Sequence, residues 1–113
     1  EISIFEKTHV LEIVGSSVKQ YDINPNDYFE NKDKINDIIV SSTKDSLELM
    51  NLVFDNIDGP MTKISLINAA ALVYLSGIED NMGDALKCCK EVLASKKVKQ
   101  RFSDLIELTK NFE

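Results

Sequence analysis

One imidazole, that of His9, is the chain's supply of neutral-pH acid–base chemistry, and two thiols, Cys88 and Cys89, are its soft nucleophiles or metal ligands. Nucleophilic catalysis by serine or cysteine needs a base within hydrogen-bond reach, and that base needs a third group to orient it. His9 lies in a β-branched run far in sequence from both cysteines, so an exposed or packed histidine is expected rather than a general base. Cys88 and Cys89 are adjacent in a segment that reads as helix, where neighbouring side chains diverge and an intrachain disulfide would be strained. A metal site would need further soft ligands close by. Both cysteines are therefore expected to be small buried or half-buried helix residues, and without a disulfide framework a cytosolic setting is the default. Glu30, Asp33 and Asp37 stand among lysines and read as a solvated face. The four glycines form no Gly-rich loop, so no phosphate cradle is predicted.

The elements that must position these groups can be read from spacing. Thr8 to Val14 and Val18 to Ile23 are apolar, β-branched runs separated by Gly15-Ser16-Ser17, which predicts a β-hairpin. Asn24-Pro25-Asn26-Asp27 breaks the second strand, because proline donates no ladder hydrogen bond and Asn and Asp favour turns. Glu30 to Asp37 reads as a solvated connection with a short helical piece. Ser42 or Thr43 caps a helix carrying Leu47, Met50, Val53, Phe54 and Ile57 three or four apart, and Gly59-Pro60 is expected to stop it. Ile64 to Leu75 is apolar nearly all round, which predicts a central buried helix ended by Gly77. Asn81 caps a third helix bearing Ala85, Leu86, Cys88, Cys89, Val92 and Leu93, and Val98, Phe102, Leu105, Ile106 and Phe112 mark a fourth.

With 113 residues the chain is the size of one ordinary domain. Nineteen acidic and 13 basic residues give a net charge of −6, which repels nucleic-acid phosphate and anionic lipid. The 43% hydrophobic content exceeds that of a disordered chain, and the apolar runs are too short for a membrane span. Position 1 is glutamate, followed by Ile2-Ser3-Ile4, without initiator methionine or apolar signal region. The chain is expected to have been trimmed or to begin inside something longer. Composition and periodicity reach a soluble α+β domain and stop there.

Several stretches together go further. Glu1-Ile2-Ser3, then Thr8-His9-Val10-Leu11-Glu12-Ile13, then Val18 to Tyr28 with Asn24-Pro25-Asn26-Asp27-Tyr28 as a turn, resemble consecutive segments of the anthranilate phosphoribosyltransferase family. Gly59-Pro60 stands nine residues before Asn68-Ala69-Ala70, with Tyr74 and Gly77 following, and this spacing is also similar to that family's. Ala85 to Ile106 fit its last two helices, so the resemblance runs over essentially the whole chain as a C-terminal part. Phe29 replaces a family glycine, Thr62-Lys63 replaces Arg-Asp, and Ser95-Lys96 replaces Ser-Gly. The last change predicts a different helix cap.

The resemblance implies an α+β fragment, a β-hairpin followed by about four helices, from the α/β domain of the class III nucleoside phosphorylase/phosphoribosyltransferase fold. Its expected parts are 1–28 for strands and hairpin, 29–41 for the connection and 42–113 for helices. It implies a parent enzyme that transfers phosphoribosyl from 5-phosphoribosyl-1-pyrophosphate to anthranilate in tryptophan biosynthesis, with Mg2+ neutralising the departing pyrophosphate. By resemblance Glu1 is a magnesium ligand in the complete enzyme, with Ser3 a weaker candidate, and no catalytic or substrate-binding residue lies in this segment. The parent is expected to be a cytoplasmic homodimer, free of nucleic acid and membrane, completed by an N-terminal remainder, and the fragment alone to be inactive. Two other readings stand beside it: a stand-alone protein-interaction domain, and a nucleoside phosphorylase or nucleic-acid-binding relative of the same fold.

Overall fold

The computed structural model describes residues 1–30 and 32–112. Position 31, within the expected connection, and position 113, at the end of the expected helical segment, lie outside the described residues.

The chain opens into an antiparallel hairpin of β1 (Thr8–Val14) and β2 (Ser17–Ile23). Val14 pairs with Ser17, leaving a two-residue turn of Gly15 and Ser16. Gly15 has φ 61°, the positive value that the first position of a type II′ turn requires and glycine adopts without penalty. The pairing puts Val10 opposite Tyr21 and Thr8 opposite Ile23 on the covered face, and His9 opposite Asp22 and Leu11 opposite Gln20 on the open one.

Single helical turns follow at Pro25–Asp27, capped by the Asn24 side chain, and at Ile35–Ile38. Four helices complete the described fold: α1 (Thr43–Phe54), α2 (Pro60–Leu75), α3 (Met82–Ala94) and α4 (Lys97–Lys110). Ser42 and Asn81 cap α1 and α3 by accepting from the backbone N–H groups of Asp45 and Asp84, satisfying donors a helix start leaves free.

Gly59-Pro60 does something other than expected. α1 already ends at Phe54, where Asn56 takes the left-handed conformation with φ 57°, and Pro60 opens α2, since a first-turn residue needs no amide proton. Gly77, with φ 72°, terminates α2 as expected.

α2 sits between two small cores. Ile67, fully buried, joins Ile4 and Ile23 under the hairpin, with Val10 and Tyr21 packed around them. Leu66 and Ala70 join Ala85, Leu86 and Leu93 of α3 on the other side. Ala70 and Ala85 are both fully buried, so small side chains let the two helices approach closely. Each fully buried aliphatic side chain contributes roughly 1.5–3 kcal/mol. The expectation of an all-round buried α2 is corrected: Leu72 is 71% and Leu75 68% exposed, on the side that neither core covers. Among the described residues, no helix is long and apolar enough to cross a membrane.

Candidate functional site

Glu1 takes its place from a short segment tied down at both ends. Ile4 is buried in the core under the hairpin, and before it the backbone lies against α2, where Asn68 holds it. The Ile2 N–H donates to Asn68 Oδ1 at 2.8 Å, and Asn68 Nδ2 donates to the Ile2 carbonyl at 2.9 Å and to the Ile64 carbonyl one turn back at 2.9 Å. The Ser3 N–H donates to Thr8 Oγ1 at 3.0 Å, while Ser3 Oγ accepts from the N–H groups of Phe5 and Glu6. Ser3 thus closes a turn with its hydroxyl, and Glu1 remains exposed. With Ile38 and the α2 stripe Met61, Ile64, Ser65 and Asn68, Glu1 lines a cleft of about 400 Å³. Three His, Cys, Asp or Glu side chains that could hold a metal ion do not come together among the described residues. Glu1 is the carboxylate residue that borders this cleft, and magnesium characteristically takes one or two carboxylates while keeping waters and substrate phosphates around it.

His9 is 81% exposed on the open face of the hairpin, as expected, yet it has a partner. The register brings Asp22 across from it, and Nδ1 meets Asp22 Oδ1. That gives the histidine an orienting carboxylate on an exposed face. The signal was the strand register, which becomes readable once the two-residue turn is fixed.

A second polar group lies beneath the hairpin. Glu12 Oε1 accepts a hydrogen bond of 2.7 Å from the Tyr74 hydroxyl, and both line a cavity of about 320 Å³ with Ile2, Val10, Tyr21 and Met82. The hydrogen bond to Glu12 raises the Tyr74 pKa above its ordinary value, with burial and the carboxylate charge adding. Burial raises the Tyr21 pKa first, and Glu12 adds to it.

The carboxylates of the connection are not all solvated, which corrects the expectation. Lys63 Nζ donates to Asp33 Oδ2 at 2.7 Å, and the two side chains are only 14% and 16% exposed. The hydrogen bond to Asp33 raises the Lys63 pKa, against the opposing effect of burial. Thr62 is buried and donates to the Ile57 carbonyl at 2.6 Å. Both residues that replace the family's Arg-Asp therefore serve as ties across the start of α2.

Cys88 and Cys89 are free and half-buried, as expected. They line an apolar cavity of about 220 Å³ between α1, α2, α3 and Val98 of α4. Burial pushes the Cys89 thiol up, away from the reactive thiolate.

Lys96 overturns the expectation of a different cap. It holds φ 62°, the left-handed conformation in which glycine usually ends a helix, and its N–H donates to the Leu93 carbonyl. Its Nζ reaches back to the Asp55 carbonyl at 2.8 Å. Lysine here keeps the glycine geometry and adds a tether to the end of α1.

Comparison of the sequence with known proteins shows what the chain is similar to. The chain is 31% identical over 113 residues to the anthranilate phosphoribosyltransferase of Neisseria gonorrhoeae, covering 99% of this chain and 33% of that protein. It is 30% identical to the enzyme of that name from Dechloromonas aromatica, covering 99% of this chain and 33% of that protein. To the one from Nitrosomonas europaea it is 29% identical, covering 96% of this chain and 32% of that protein. The chain thus spans about a third of the length of the curated relatives it matches. The sequence profile described as the glycosyl transferase family, a/b domain, matches residues 1–98, from Glu1 through the hairpin and α3 into the first turn of α4. This chain belongs to that glycosyl transferase family.

Proposed function

We propose that the chain is the C-terminal part of an anthranilate phosphoribosyltransferase, set in an α/β domain of the class III nucleoside phosphorylase/phosphoribosyltransferase fold. The observation that carries this reading is the family match over residues 1–98, in register with relatives of that name over nearly the whole chain. In the reaction, the bond from the ribose anomeric carbon to pyrophosphate breaks and a bond to the anthranilate nitrogen forms. The amine loses its proton, and pyrophosphate leaves with the electron pair. Magnesium supplies charge neutralisation on the leaving group when bound. Glu1 offers that ion one hard oxygen from a backbone fixed against α2; the remaining ligands, the phosphate-binding loop and the acceptor site belong to the N-terminal remainder. The hairpin and α2 provide the rigid support. The parent reads as a cytoplasmic homodimer.

The chain by itself therefore should not turn over substrate. Fluorescence assay of anthranilate consumption with 5-phosphoribosyl-1-pyrophosphate and magnesium should show no activity for residues 1–113, and activity when the coding sequence upstream of Glu1 is expressed with them. Turnover by the 113-residue chain alone would overturn this reading.

A protein-interaction role is the second reading. It is favoured by the apolar residues Leu11, Ile13 and Val18 exposed on the open face of the hairpin.

A further inference from the structure

We propose that Asn68 is a positioning residue for the metal-binding carboxylate: its side-chain amide pairs with both backbone groups of Ile2 and so sets where Glu1 stands. The inference rests on the reading of Glu1 as a magnesium ligand. The N–H and C=O of one residue in extended chain point to the same side, which is how a residue in an antiparallel ladder presents a matched donor and acceptor to its partner. Asn68 supplies the complementary pair from a helix, at 2.8 and 2.9 Å, and so acts as a one-residue strand partner. A donor and an acceptor on one planar amide fix the direction of the chain as well as its distance. An aspartate would keep the acceptor, lose the donor and face the Ile2 carbonyl with negative charge.

The rest of the amide is committed too, since Nδ2 also donates to the Ile64 carbonyl, which locks the side chain against its own helix. Support for the segment thus comes from the most deeply packed helix, two positions from fully buried Ala70 and one from fully buried Ile67. Glu1 is exposed, shares the cleft with Asn68 and stands one residue before the clasped peptide. Outer partners that orient a ligand typically change metal affinity by about 10–100-fold. A partner acting through the adjacent peptide is placed at the lower end, about tenfold.

The test uses the chain expressed with its upstream coding sequence and compares Asn68→Asp, Glu1→Gln and the double variant. Two quantities are read: the magnesium concentration giving half-maximal rate, kept separate from kcat at saturating metal, and the magnesium concentration giving half of the metal-induced rise in melting temperature with pyrophosphate present. Asn68→Asp should raise both magnesium values about tenfold, and the double variant should shift them no further than Glu1→Gln alone. Ile2→Pro, which removes the N–H that donates to Asn68 Oδ1 and so breaks the other bond of the pair, should reproduce the shift and carries the comparison if Asn68→Asp does not fold. Normal magnesium values in the Asn68 or Ile2 variant, with Glu1→Gln shifted, would overturn the positioning role and leave the reading of Glu1 standing. Additive shifts in the double variant would also overturn it. Normal values in every variant, or no metal-induced rise in the parent, would overturn the reading of Glu1 and this inference with it.

Discussion

Glu12 carries more than its place in an amphipathic strand suggested. Turned under the hairpin, its carboxylate accepts from Tyr74 and is the leading cause of that residue's raised pKa; at Tyr21 burial leads and Glu12 adds to it, and at Tyr28 burial leads with Asp27 adding. A group with a raised folded pKa stabilises the fold fully below its unfolded value, near 10 for tyrosine, and that support is lost as pH rises through the folded value. Glu12→Gln should therefore move the tyrosinate absorbance titration of Tyr74 and Tyr21 to lower pH and leave Tyr28 in place. A titration that does not move would remove Glu12 from the network. This contact joins residues 62 apart in sequence, so no local pattern announced it. What could be read was Glu12 among Val10, Leu11, Ile13 and Val14 in the first strand and Tyr74 at the end of an apolar helix. Asn68 was legible in the same partial way: the Asn-Ala-Ala motif stood out, while its grip on Ile2 depends on folding.

The elements themselves were largely legible, because period-2 and period-3.6 patterns, the Ser42 and Asn81 caps and the Gly77 stop are local signals. The α1–α2 junction was misread since Gly-Pro serves equally as a stop and a start, and only the backbone of Asn56 decides between them. The α3–α4 junction was misread because lysine rarely takes a left-handed conformation. That conformation costs roughly 1 kcal/mol in a residue with a β-carbon, and the hydrogen bond from Lys96 to the Asp55 carbonyl returns a comparable amount. Lys96→Gly should therefore change stability by less than about 0.5 kcal/mol, whereas Lys96→Ala, which keeps the strain and loses the tether, should cost about 1 kcal/mol by urea denaturation. A larger loss for glycine than for alanine would contradict this account.

The molecule as a whole is more open than its mass suggests. Its accessible surface is 8144 Å² and its radius of gyration 15.8 Å, against about 6,200 Å² and about 13 Å for a compact domain of this size. The open face of the hairpin, the uncovered side of α2 and Phe112 contribute to that surface. In isolation the chain should therefore self-associate, its light-scattering mass rising with concentration despite the net charge of −6. A monodisperse monomer with one sharp melting transition would count against its being part of a larger domain. The Asn68 clasp has a consequence for the order of folding. The hairpin closes over a two-residue turn and α2 and α3 are neighbours in sequence, but Ile2 and Asn68 are 66 residues apart. Closing so long a loop costs more entropy than forming local contacts, so the hairpin should dock onto α2 late on the folding pathway. Loosening the clasp should then hasten unfolding and leave the refolding rate almost unchanged, with the segment before β1 expected to part from α2 early.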